Sequence, residues 1–119
     1  MDRDMDAIRQ ILLAVGESDE RVNRVEGMDE EVFRFNAMLA IQAGLVEGGF
    51  ERAKTSRRQA PAVAEIFSLT WAGADFLSLA KSDSFWQKMK KTILATVPAL
   101  SFDLLKKWLE HEAARHLGF

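Results

Sequence analysis

The chain contains no cysteine in 119 residues. That excludes disulfides and thiolate zinc sites, and it fits a reducing compartment. No apolar run approaches the roughly 18 residues that a membrane span needs. The opening MDRDMD leans acidic and is not followed by an apolar stretch of the secretory kind. The expectation is a cytoplasmic protein with no membrane association. Catalytic signatures are missing too: there is no Gly-x-Ser-x-Gly elbow, no GxxxxGK(S/T) phosphate loop and no GxGxxG turn. Carboxylate pairs such as Glu30 and Glu31 fall at an exposed helix start, where they complement the helix dipole. The two histidines, His111 and His116, are five apart. That is about 140° around a helix, not the four-residue spacing of the HExxH zinc motif. These absences predict a protein that is not an enzyme, with no cofactor, no metal site and no small-molecule ligand.

What is present is an ordinary globular composition, 48% hydrophobic and 29% charged. The length corresponds to one domain with a core of its own. A formal net charge of −2 does not advertise a polyanionic partner, but the charge is unevenly placed. Residues 17–31 hold seven acids against Arg21 and Arg24. Residues 52–64 hold four bases (Arg52, Lys54, Arg57 and Arg58) and no acid. Residues 81–91 hold four lysines against Asp83.

Hydrophobic spacing organises the chain. Met5, Ile8, Ile11, Leu12 and Val15 make one apolar stripe and predict a helix over about 4–15, with Gly16 as its stop. Val22 and Val25 alternate imperfectly, as in a short strand. Asp29 reads as an N-cap, and Val32, Phe35, Leu39 and Ala43 follow as the next helical stripe. Gly44-Leu45 is a Schellman stop. Strands are predicted over about 46–53 and 63–70, with Gly48-Gly49 marking a bulge or early turn. Thr70 caps a helix over 71–80, in which Gly73 permits a close approach to the sheet. Ser82 or Asp83 caps a helix to about 96, broken by Pro98. Ser101 caps a last helix to about 117, ended by Gly118. Trp71, Trp86 and Trp108 are all candidates for the core. Helix, Gly stop, strand, basic loop, strand, Thr cap and helix is the order of the second half of a winged-helix domain. The predicted fold is mainly α with a small antiparallel β-hairpin. It is a single domain, 1–119, with a winged-helix-like core over 1–80 and two extra C-terminal helices over 81–119.

The opening RDMDAIRQILL resembles the start of the domain-of-unknown-function 2513 family of small bacterial and phage proteins, whose members begin R-D-M-D-x-I-R-x-I-L-L. The likeness continues through AGLV and through LTWAGADFL, where the family favours L-T-W-x-G-x-x-F-L. It extends to Trp86, Lys88 and Lys90 and to the C-terminal SFDLLKKWLEHEAARHLGF. The resemblance implies winged helices extended by C-terminal helices. It implies no established activity, and hence no catalytic residues to carry over. Asn36 stands where the resemblance implies a histidine.

The candidate nucleic-acid contacts are Arg52, Lys54, Arg57 and Arg58 on the hairpin loop, each able to neutralise a phosphate. Arg34, Asn36, Met38 and Gln42 are the second-helix side chains that would reach bases. Against them, that helix begins with Asp29, Glu30 and Glu31, which repel a phosphate wall. The lysines of 81–91 read as the wet side of an amphipathic helix. Phe102, Leu105, Trp108 and Leu109 share a wide apolar face that would serve as the arm of a homodimer, with packing against 84–95 as the equal competitor. Two functions follow: a DNA-associated or regulatory protein that acts as a dimer and holds double-stranded DNA through a basic wing, or a dimerising protein–protein interaction module that has lost DNA binding.

Overall fold

The computed structural model describes residues 1–53, 59–97 and 100–116. In order they form α1 (Met5–Glu17), α2 (Glu30–Gln42), β1 (Val46–Glu51), β2 (Val63–Leu69), α3 (Trp71–Ala80), α4 (Asp83–Met89), a π-helical turn (Lys90–Leu94) and α5 (Phe102–His116). They group into two compact units, Met1–Ala74 and Asp75–Phe119. The architecture is mainly α with one antiparallel hairpin, as the spacing predicted.

In the first unit, Asp4 caps α1 by accepting from the Ala7 N–H at 3.0 Å. Met5, Ile8, Ile11, Leu12 and Val15 are buried, as their periodicity requires. Gly16 does not stop the helix: α1 continues to Glu17, and the positive-φ glycines among the described residues are Gly27 and Gly44. Asp29 caps α2 by accepting from the N–H groups of Glu31 and Val32. The buried face of α2 is Phe33, Asn36, Ala37 and Ala40, flanked by Phe35 and Met38. Of the predicted stripe, Phe35 is buried and Leu39 packs against the cluster of Phe35, Met38 and Ala60, whereas Val32 is only partly buried and Ala43 is exposed, so the inward face is wider than the stripe predicted. A polar residue and two alanines on the true face hid it from an apolar count.

The end of α2 is a complete Schellman motif. Gly44 stands at φ +75°, its N–H donates to Ile41 C=O at 3.0 Å, and the Leu45 N–H donates to Ala40 C=O at 3.0 Å. The chain then enters β1, which pairs antiparallel with β2 from Val46–Leu69 to Glu51–Val63. Glu47 pairs with Ser68 and Gly48 with Ile66, so Phe67 is the extra residue of a β-bulge. Gly48 is needed there, because an added Cβ would sit 2.2 Å from the Glu65 carbonyl oxygen. The predicted short strand near Val22 is a single antiparallel bridge: Val22 and Ile66 exchange N–H···O=C bonds of 2.8 and 2.9 Å. Leaving β2, the Thr70 N–H donates to Leu45 C=O at 3.0 Å, and its hydroxyl donates to Gly44 C=O while accepting from the Gly73 N–H. Thr70 thus ties the end of α2 to the start of α3.

In the second unit, Phe76 meets Trp86 and Phe102 edge-on, with ring centroids 6.4 and 5.7 Å apart. Ser82 caps α4 by accepting from the Phe85 N–H. The helix predicted to reach 96 is regular only to Met89. Beyond it the Ala95 N–H donates to Lys90 C=O, five residues back. Thr92 Oγ1 and Thr96 Oγ1 donate to the carbonyls of Lys88 and Thr92. Such back-bonding slightly destabilises and often bends helices. The stops predicted at Pro98 and Gly118 lie outside the described residues. No described helix is long and apolar enough to cross a membrane.

Candidate functional site

The expected base-reading face of α2 is largely unavailable. Asn36 is 1% exposed. Its Oδ1 accepts from the Asp4 N–H at 2.9 Å and its Nδ2 donates to Val32 C=O at 2.9 Å. The amide therefore joins α2 to the N-terminus of α1 and is turned away from solvent. Met38 is buried as well. Arg34 Nε donates to Pro61 C=O at 3.0 Å, and its Nη1 lies 3.7 Å from Glu30. Gln42 is exposed, at the last turn. Arg52 is exposed but engaged: one guanidinium nitrogen donates to Gln59 C=O and another contacts Met38 Sδ at 3.1 Å. Arg52 braces the stem of the hairpin loop. Lys54, Arg57 and Arg58 lie outside the described residues.

The large exposed apolar side chains of the first unit, apart from the terminal Met1, lie at the hairpin and the start of α3. Trp71 is 91% exposed, Phe67 58% and Val63 48%. This corrects the reading of Trp71 as a core candidate. Trp86 is fully buried and Trp108 partly so. The signal was present in the spacing. Trp71 lies five residues before buried Phe76, about 140° around the helix, and Phe67 follows buried Ile66 in a strand, where neighbours face opposite ways. Along the open strand face, Glu47, Gly49 and Glu51 alternate on β1, and Val63, Glu65 and Phe67 on β2. Arg21 Nη1 reaches Glu65 Oε2 at 3.3 Å.

In the second unit, the apolar face expected to meet a twin chain is divided. Leu105 and Leu109 are fully buried within the chain, and Phe102 and Trp108 are partly buried. Glu112, also buried, is the polar centre of that unit. Lys88 Nζ and Arg115 Nη1 each donate to it at 2.9 Å. The Lys88 hydrogen bond, aided by Arg115, holds the Glu112 carboxyl below its ordinary pKa although burial pushes it up. Lys88 is therefore engaged and does not stand in a free basic row. Among the described residues no buried side-chain polar atom lacks a partner. Nor, among them, do three or more His, Asp or Glu side chains cluster as a metal site.

The family model described as hypothetical protein (DUF2513) matches residues 2–98. The chain belongs to the DUF2513 family. It is similar to an uncharacterised protein of Haemophilus influenzae, 30% identical over 112 residues that cover 90% of this chain and 91% of that protein. No solved structure matches. In this DUF2513 protein the motif LTWAGADFL is nearly accounted for by packing. Leu69 ends β2 half-buried, Thr70 caps, Gly73 lets α3 approach Leu45, and Phe76 and Leu77 are buried. Ala72, Ala74 and Asp75, at the variable positions of L-T-W-x-G-x-x-F-L, are exposed, and among its fixed positions Trp71 is the exception, since it fills no space inside the chain.

Proposed function

We propose that this protein is a non-enzymatic, winged-helix-like interaction module whose hairpin and α3 start bind a protein partner. The observation that carries this is Trp71, an indole left 91% exposed in the first turn of α3. Exposing so much aromatic surface gains nothing in folding, whereas Trp is a preferred anchor where proteins meet. The α2 face adds support. Its start presents Asp29, Glu30 and Glu31, and its amide reader Asn36 is used internally. Both features disfavour docking of a helix into a phosphate-walled groove. The test is a photo-crosslinking amino acid at position 71 in the native cell. The expected result is a protein adduct of discrete mass. Adducts to DNA alone, or no discrete adduct, would overturn the reading.

One observation favours a second reading, DNA association through the hairpin loop: residues 52–64 hold four bases and no acid. On that reading affinity for random duplex falls between about 50 and 200 mM salt, more steeply for wild type than for the Arg57→Ala/Arg58→Ala variant. No binding at low salt and micromolar protein rules it out.

A further inference from the structure

The open face of the hairpin is a shaped feature rather than a flat one. A groove of about 270 Å³ is lined by Gly49, Phe50, Glu51, Val63, Glu65 and Phe67. It exists because a side chain is missing. Gly49 faces Glu65 in the strand register, and a Cβ added to Gly49 would meet nothing within 4 Å. The β-bulge leaves Phe67 without a cross-strand partner and forms the groove's apolar wall together with Val63. Both side chains are about half exposed. The ionisable residues that line the groove are both acidic, Glu51 and Glu65; Glu47 is exposed further along β1, and Arg52 follows Glu51 at the loop end, held to Gln59 and Met38. Arg21 offsets part of this acidity through Glu65, in a pair between an exposed guanidinium and a partly buried carboxylate that solvent still screens. Among the described residues, Glu47 accepts a long 3.5 Å contact from Ser68 Oγ.

We infer that this groove takes an extended peptide segment of a protein partner, one apolar side chain flanked by Arg or Lys. The inference rests on the protein-partner reading above and names the chemistry of the partner. A volume of about 270 Å³ suits a single large side chain and is too small for the apolar stripe of a helix. Val63 and Phe67 gain by losing water. The three carboxylates select basic flanks, speed encounter with them, and repel acidic peptides and nucleic-acid phosphates.

The test is selection from a phage-displayed library of random dodecapeptides on the full chain, with Gly49→Leu as the counter-target. A Cβ at 49 meets nothing within 4 Å, so leucine there should fill the groove while circular dichroism and the urea midpoint match wild type. The expected peptides combine an aromatic or aliphatic residue with adjacent Arg or Lys. Their affinity should fall at least tenfold on Gly49→Leu and severalfold on Glu51→Lys, which leaves the groove open. Recovery of acidic or uncharged peptides, no enrichment at all, or equal binding to Gly49→Leu overturns the inference. Self-association of wild type that Gly49→Leu abolishes overturns it as well, by making a second copy the occupant. Selected peptides that bind both forms equally leave a protein partner at Trp71 standing, whereas crosslinks from position 71 to DNA alone remove that reading itself.

Discussion

Replacing Gly73 by alanine sets two physical effects against each other. Helix propensity favours the change by up to about 1 kcal/mol. The packing opposes it. An added Cβ would stand 1.8 Å from the Leu45 carbonyl oxygen, 2.8 Å from its carbon and 3.2 Å from its Cα. All three are backbone atoms, so no side chain can swing aside. Ordinary contact begins near 3.4 Å, and the start of α3 must therefore retreat by about 1.6 Å. That movement strains the Thr70 N–H bond to Leu45 and the Thr70 hydroxyl bond to Gly44. Overpacking costs about 1–3 kcal/mol, and each hydrogen bond lost about 1 kcal/mol more. The net expectation is destabilisation of about 2–4 kcal/mol, read as a drop of about 1–2 M in the urea midpoint. Gly49→Ala is the matched control. It is the same chemical change where the new methyl meets nothing, and it should be neutral or stabilising by up to about 1 kcal/mol. If Gly73→Ala is as stable as wild type, close backbone approach is not what requires glycine at position 73.

Three further outcomes are expected. Asn36→Ala leaves the Asp4 N–H without its acceptor and should cost about 1–3 kcal/mol in chemical unfolding. A loss of duplex affinity with unchanged stability would instead make Asn36 a surface reader. Glu112 has a folded pKa below its unfolded one, so its contribution is complete above the ordinary carboxyl range and is lost as pH falls through the lowered value. Urea midpoints between pH 7 and 3 should therefore fall more steeply for wild type than for Glu112→Gln, and equal slopes would refute the linkage. Trp71→Phe should remove the red-shifted, iodide-quenchable part of the tryptophan emission, leaving the signal of buried Trp86 and half-buried Trp108 with stability within about 0.5 kcal/mol of wild type. Unchanged quenching would show that Trp71 is covered in solution.

Local chemistry made most of the secondary structure legible. Asp29, Gly44 and Thr70 act at their predicted places because capping and left-handed backbone depend on a few neighbouring residues. The bulge expected from Gly48-Gly49 is present, since a missing side chain in a strand signals close backbone approach. Gly16 misled because glycine is tolerated inside a helix when the following residues continue it. The π-helical turn after Met89 was not legible, because threonine reads as an ordinary helix residue until its hydroxyl finds a carbonyl four residues back.

The candidate site was less legible, for a different reason. Charge and apolar spacing located the hairpin, the acidic start of α2 and the basic run of 52–64 in the linear chain. The resemblance of RDMDAIRQILL and LTWAGADFL to the family's motifs, not charge or spacing, pointed to the family. Whether a side chain faces a partner or its own core depends on residues far away in sequence. Asn36 is used up by Asp4, 32 positions earlier. Arg52 is engaged by Met38, Arg34 by Pro61, and Lys88 by Glu112. Trp71 is left in solvent because α3 turns Phe76 and Leu77 inward. Caps, stops and stripes follow from neighbours within a few residues, and so the amino-acid order alone settles them. The availability of a polar or aromatic group follows from which distant groups satisfy or cover it, and that is set only when the chain is folded.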